Sequence, residues 1–413
     1  MSSPTTEVPK PETRPKLPEG WRWVRLGDVT KVVGGSTPKT GIKEYWNGDI
    51  VWITPADLGK LSTREIYSSG RKITQLGYES SGAELVPVKT VVMSSRAPIG
   101  HLGIAAVPLC TNQGCKSFIP SESIDSVYLY FVLKQAVPEL QLLGRGATFL
   151  EISKTQLENY FIPLPPLETQ RRIAAILTEQ MEAVEKARKA AEEGLEAARK
   201  LAGAYVIAYF TGSWVDEWER VPLAEISTFL PAKSIASDGD TEVRAITTAC
   251  LSESGFRPEG IKTARMWAND AREARISPGE ILVARSNTPE LVGRVAVYPG
   301  GYPDLVASDL TIRIKATGAD PAYLGAYLSS LYLSGYWKER AGGASGSMKK
   351  ITRGQLQDER IPLPNLETQH RIVAELNAKL KATQALIHSL EAQLEAIRAL
   401  PAAILRRAFS GEL

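Results

Sequence analysis

Polar side chains gather in a few short loops of this 413-residue sequence. Ser36, Thr37 and Lys39 stand in VVGGSTPKT, Ser94, Ser95 and Arg96 in SSRAPIG, and Asn112, Gln113 and Lys116 in TNQGCK. The second half offers Lys233 and Ser234 in LPAKS, Arg285, Ser286 and Asn287 in ARSNTPE, and Lys349 and Lys350 in SMKK. These types suit nucleic-acid reading. Arg donates bidentately to guanine, Asn or Gln pairs with adenine, and Lys, Ser and backbone N–H groups bind phosphate. Turns also use Gly, Ser, Asn and Pro for local reasons, so any single loop is ambiguous. Recurrence at corresponding places in both halves favours recognition. Two Gly-rich stretches, GRGAT with Arg145 and GGASGS before Lys349, either bring backbone N–H groups to a phosphate or act as flexible links.

Catalytic patterns are missing. There is no GxGxxG after a strand, no GxxxxGK[ST], and no GxSxG, HExxH or HxE…CxxC. Near Pro303-Asp304 and TIRIK, a metal-dependent nuclease would want an acid two residues before Lys315, where Arg313 stands. The three cysteines (Cys110, Cys115, Cys250) form no CxxC pair, and His101, His370 and His388 are scattered, so no zinc site is expected. The reading is of a chain without catalytic or metal-binding residues.

Net charge is +3, too small to argue a nucleic-acid partner by itself, and 43% hydrophobic with 23% charged residues is ordinary globular composition. The polar, Pro-rich opening, residues 1–18, reads as a disordered arm without a signal peptide. No apolar run approaches the ~20 residues that span a bilayer, and a cytoplasmic location is expected.

The elements that must position these loops come in two sets. IPLPPLETQRRI from Ile162 returns as IPLPNLETQHRI from Ile361, an offset of 199 residues that holds from Ile152 and Ile351 to Gly212 and Gly411. WRWVRLGDV from Trp21 resembles WERVPLAEI from Trp218, while the stretches between differ. The pattern predicts an arm (1–18), a globular part (19–161), a helical segment (162–212), a second globular part (213–360) and a second helical segment (361–413). Ser153 and Thr352 open S/T-x-x-Q capping boxes, and the Pro-Leu-Pro runs read as rigid extended corners.

After those corners the composition turns to strong helix formers. Leu376, Leu380, Thr383, Ile387, Leu390, Leu394 and Ile397 alternate spacings of four and three, a heptad seam. The equivalent seam in the first copy is Leu177, Met181, Val184, Arg188, Ala191, Leu195 and Ala198, smaller and less apolar, which suits two helices packing large into small; the alternative is two amphipathic helices, each packed on its own domain. Each helix of some 44 residues would be about 66 Å long. The globular parts read as α+β: strands at 49–54, 90–95, 99–107 and 116–120 precede a helix at 126–137. Strands at 243–248, 280–285, 293–298 and 310–316 precede one at 321–340.

The whole pattern resembles the specificity subunit of type I restriction–modification systems. The resemblance rests on Pro163, Leu164, Pro165, Pro166, Leu167 and Gln170, on Ser95–Gly100 and Thr111–Gly114, and on AFSGEL from Ala408. Asn365 departs from the phrase in the second copy, and ARSNTPELVG departs from SRAPIG. The resemblance implies two target recognition domains, each reading half of a bipartite asymmetric DNA site, on two long helices that pair antiparallel as a coiled-coil spacer with pseudo-two-fold symmetry. It implies two methyltransferase subunits docked on the helices, with restriction/translocase subunits joining. S-adenosylmethionine, ATP and Mg would serve those partners, none of them this chain. Two rivals are a coiled-coil adaptor whose domains bind proteins, and a nuclease or methyltransferase of unfamiliar type.

Overall fold

The computed structural model describes residues 8–144, 151–252, 255–302, 304–345 and 348–412. The chain divides into two compact units, Met1–Ala190 with Leu394–Leu413, and Ala191–Gln393. Ile162 and Ile361, the expected starts of the helical segments, lie inside these units. Those residues lie within strands that each globular part uses to close on itself: Arg22–Arg25 pairs antiparallel with Phe161–Leu164, and Arg220–Pro222 with Arg360–Pro362.

The sheets have the same plan in both units. In the first, a five-stranded sheet runs Thr30–Gly34, Cys115–Pro120, Val91–Ser94, Leu102–Ala105 and Glu65–Ile66. In the second, four strands run Ser227–Phe229, Thr311–Ala316, Ile281–Ala284 and Val295–Val297 in the matching order. Beside each lies a three-stranded sheet whose central strand, Trp46–Ile53 or Thr241–Ile246, has one antiparallel and one parallel neighbour. A helix covers each larger sheet: Ser126–Leu143, and Pro321–Leu333. The helix expected over 321–340 is broken, because Gly335 takes a left-handed φ of 80° and a second short helix starts at Tyr336.

Two helices of 45 residues, Leu167–Thr211 and Leu366–Ser410, supply the rest. In the first unit Ile173, Ala174 and Leu177 share a core with Tyr128, Leu129, Leu405, Ala408 and Phe409. In the second, Phe210 and Ile372 join Tyr323, Tyr327 and Trp337. Within the second unit the segments run antiparallel: Arg199 pairs with Glu391 at 2.8 Å and the Tyr209 hydroxyl donates to Glu375 at 3.0 Å. Along the expected seams Leu177, Ala191, Leu195, Ala198, Leu376, Thr383, Leu394 and Ile397 are buried. Met181, Val184, Arg188, Leu380, Ile387 and Leu390, in the middle of each seam, are only half-buried.

The repeated phrase is a junction. Both capping boxes form, at Ser153 with Gln156 and at Thr352 with Gln355. Gln170 and Gln369 are each 1% exposed. Gln170 Oε1 accepts from the Asp125 backbone N–H at the start of the covering helix, while its Nε2 donates to the carbonyls of Pro165 and Ser123. Gln369 does the same with Asp320 and Pro364. The Tyr128 and Tyr323 hydroxyls donate to Pro163 O and Pro362 O. Prolines hold the strand end in extended form, and these side chains take up the carbonyls left over.

Residues 1–7 of the opening arm lie outside the described residues. Residues 8–18 are not free: Arg14 pairs with Glu139 at 2.9 Å and lies 5.0 Å from the ring centres of both Trp23 and Tyr160. Val8 packs against the core of the first unit. One cation with a carboxylate and two aromatic faces holds a segment whose composition alone argues disorder.

Candidate nucleic-acid interface

In the first unit three loops converge at the ends of the central strands. The Ser36 backbone N–H donates to Thr111 O, and the Asn112 N–H to Ile53 O. The Thr37 hydroxyl donates to Gln113 Oε1. A T-shaped Trp46–Trp52 pair underlies the first loop, its indole N–H groups donating to Lys39 O at 3.3 Å and Ser36 O at 2.9 Å. Arg71 lies 3.6 Å over the Trp46 ring. Neither the tryptophans nor Arg71 stood out in the sequence. Lys39 and Gln113 are exposed, and Ser36, Thr37, Asn112 and Arg96 are partly so. Asn112 spends its Oδ1 on the Gly114 N–H, a local turn.

Three residues expected at this surface face inward. Ser94 is fully buried, its hydroxyl donating to Pro98 O and accepting from the His101 N–H. Ser95 is fully buried too and accepts from Lys116 Nζ at 3.2 Å. Lys116 is 9% exposed and also donates to Gln113 O at 3.4 Å. Ser94 and Ser95 lie at the end of Val91–Ser94 and Lys116 at the start of its neighbour Cys115–Pro120, and their polar atoms hold the loop together. A residue the sequence reading missed sits beside them: Glu151 lies 3.7 Å from Arg96 and 3.6 Å from Lys116. The 199-residue offset would have found it, as the counterpart of Lys350. Arg145 lies outside the described residues.

In the second unit Ser286–Asn287 pairs with Met348–Lys350, which gathers Arg285, Asn287, Lys349 and Lys350 around one pair of strands. Ser286 itself is buried in that pairing. Asn287 Nδ2 donates to Thr248 Oγ1, and Arg285 Nη1 to Asp309 O. Lys233 stands apart from this group, with Asp270 at 2.8 Å and Glu273 at 3.0 Å. Hydrogen bonds to Asp270 and then Glu273 raise its pKa, and this expected phosphate ligand is matched by two carboxylates within the protein. Ser234 beside it is exposed.

Strand register decides which residues correspond. The Ile152 N–H donates to Ser95 O as the Ile351 N–H does to Arg285 O. Arg96 bridges Glu151 as Ser286 bridges Lys350. Arg96 and Arg285 are thus offset by one residue. A one-residue step in a strand turns a side chain to the opposite face. The turns after them agree: Gly100 (φ +108) and Gly293 (φ +82) are equivalent, and a Cβ on either would lie 2.4 Å from Val137 or 2.6 Å from Trp337.

Among the described residues no group of three or more His, Cys, Asp or Glu could hold a metal ion. Arg313 is buried against Glu280 at 2.9 Å, an ion pair within the core. Burial pushes the Cys110 thiol up to about 11 and Cys115 up to about 12, leaving poor nucleophiles. No described helix is long and apolar enough to cross a membrane.

Two units of one topology, each presenting different polar loops at the same strand ends, are the architecture of a divided recognition protein. Residues 18–193 and 215–396 match the family described as Type I restriction modification DNA specificity domain, and the chain belongs to that family. It is 40% identical over 165 residues to the type I restriction enzyme MjaIX specificity subunit of Methanocaldococcus jannaschii, covering 40% of this chain and 38% of that one. In such matches the chain spans about two fifths of the curated relatives' length. Over 97% of its length it superposes on all of a chain solved for complex assembly and conformational transition of the type I R-M system, with TM-score 0.73 and 22% identity. The HsdS subunit from Thermoanaerobacter tengcongensis superposes over the same share, and over all of its own chain, with TM-score 0.65 and 22% identity. At that identity the likeness is one of fold.

Proposed function

We propose that the chain is the DNA-reading subunit of a type I restriction–modification complex in the cytoplasm, each unit reading one half of a bipartite, asymmetric target. The observation that carries this is the shared strand register beneath unlike loops. A common backbone frame offers Arg96, Gln113 and Lys39 in one unit and Arg285, Asn287, Lys349 and Lys350 in the other. Arg, Asn and Gln are the side chains that read base edges in the major groove. The long helices space the reading units and dock two methyltransferase subunits, with restriction/translocase subunits added to these. S-adenosylmethionine, ATP and Mg act in those partners, and methylation and cleavage with them. The adaptor reading is less well supported, because it gives no reason for base-reading residues at matched strand ends.

The test is a domain exchange. Residues 19 to about 160 are replaced by those of a related chain, and methylated sites are sequenced in a host carrying the partners. One half of the recognised site should change. Changes in both halves would show that the units do not read independently.

A further inference from the structure

The cluster at Glu151 asks for its own account. Its carboxylate is held between two cations, Arg96 at 3.7 Å and Lys116 at 3.6 Å, both beyond hydrogen-bonding distance. Its position is fixed through the backbone: Glu151 bridges Arg96, and the next residue, Ile152, donates its N–H to Ser95 O. The side chain is 38% exposed, and no described residue donates a hydrogen bond to it. Lys116 has hydrogen-bond acceptors of its own in Ser95 Oγ and Gln113 O. The result is a carboxylate acceptor, held in place by two neighbouring cations, with no hydrogen-bond donor among the described residues.

We infer that Glu151 is a specificity-determining residue of the first unit, accepting the exocyclic amino group of a base, cytosine N4, in the half-site beside Arg96. This rests on the DNA-reading function proposed above. A carboxylate is repelled by phosphate, so among the surfaces of DNA it suits the donors on base edges. Cytosine N4 in the major groove is the donor that Glu and Asp accept from. Arg96 alongside is placed for the guanine of the same or a neighbouring pair. The second unit supports the assignment by contrast, since Lys350, a donor, occupies the equivalent backbone position opposite Ser286. One frame thus presents an acceptor in one half and a donor in the other.

The experiment uses the full chain with its methyltransferase partners, as wild type, Glu151→Gln and Glu151→Lys. Affinities are measured on duplexes in which each base pair of both half-sites is varied in turn. Glu151→Gln should relax discrimination at one C·G pair of the first half-site by about 5- to 150-fold, the range of a single good base contact. Preference at the second half-site should persist, which also shows that the variant is folded. Glu151→Lys should shift the preferred base at the same pair. Affinity rising equally on all duplexes would mean that Glu151 only masks Arg96 and Lys116, and would overturn the inference while leaving the DNA-reading function intact. A wild-type complex without sequence preference would sink that function, and the inference with it.

Discussion

At the strand ends of the first unit, two cations enclose a carboxylate: Arg96, Lys116 and Glu151. At the same ends of the second unit, Ser286, Ile312 and Lys350 occupy those backbone positions, and the cationic side chains are Arg285, Lys349 and Lys350. The strand pairing is the same, but the charge at one equivalent position is opposite, negative at Glu151 and positive at Lys350. Hydrogen-bonded register, set by core residues, fixes where a side chain stands. The residue type then decides whether a donor or an acceptor stands there. Recognition can change without disturbing the frame where the differing side chain is exposed, as at Glu151 and Lys350, whereas Lys116, Ser286 and Ile312 are buried parts of the frame itself.

The sharpest challenge to this equivalence is to the frame itself. Phe409 stacks edge-on against Tyr128 with ring centres 5.6 Å apart, whereas its counterpart Phe210 meets both Tyr323 and Tyr327 at 5.5 Å. Each Phe→Ala change should destabilise its own unit by about 3–5 kcal/mol. Phe210→Ala should cost more by about 0.5–1.5 kcal/mol, the worth of the extra aromatic pair. Denaturant unfolding of the two variants measures both. Equal losses would show that the second ring contact contributes nothing.

A smaller effect probes the loops. Arg285→Ala should weaken binding to the cognate duplex by about 1–3 kcal/mol. Arg96→Ala should fall at the low end of that range, since Glu151 beside it offsets part of its charge. Comparing cognate and scrambled duplexes separates roles: equal loss on both would place the side chain on phosphates.

The smallest effect is kinetic. Burial raises all three thiols above their ordinary range, Cys110 to about 11 and Cys115 to about 12. At pH 8 a thiol of pKa about 11 is ionised roughly one part in a thousand, so alkylation of the native chain should be slow and should accelerate about tenfold per pH unit toward 11. Mass spectrometry then follows opening of the first unit at Cys110 and Cys115 and of the second at Cys250. Rapid labelling of Cys115 at pH 8 would contradict its burial. Stability has the same sign: a raised thiol pKa protects the folded state below pH 9 and loses that contribution as pH climbs from 9 toward 11.

Much of the frame was legible because it is written locally. Capping boxes at Ser153 and Thr352, short apolar strands such as Val91–Ser94, and the seam residues Leu177 and Leu394 all depend on spacings of a few residues. The loops were read less well because their contacts are distant in sequence. Lys233 meets Asp270, and Lys116 meets Ser95 and Glu151, partners that no local pattern reveals. Ser94 and Ser95 looked like loop material, yet central-strand ends point polar side chains inward when a turn returns carbonyls to them. Glu151 has no local signal, since a lone carboxylate beside a Gly-rich stretch matches neither phosphate nor guanine, although the repeat pairs its neighbour Ile152 with Ile351.

The segment Leu394–Leu413 belongs to the first unit, although it is made after the whole of the second. During synthesis the second unit, Ala191–Gln393, emerges as an unbroken stretch and can close its core at once. The first must wait: Tyr128 and its neighbours stay without Leu405, Ala408 and Phe409 until those residues leave the ribosome. Order of completion thus runs opposite to order of translation, and the apolar face left open in the interval is the one a chaperone would find.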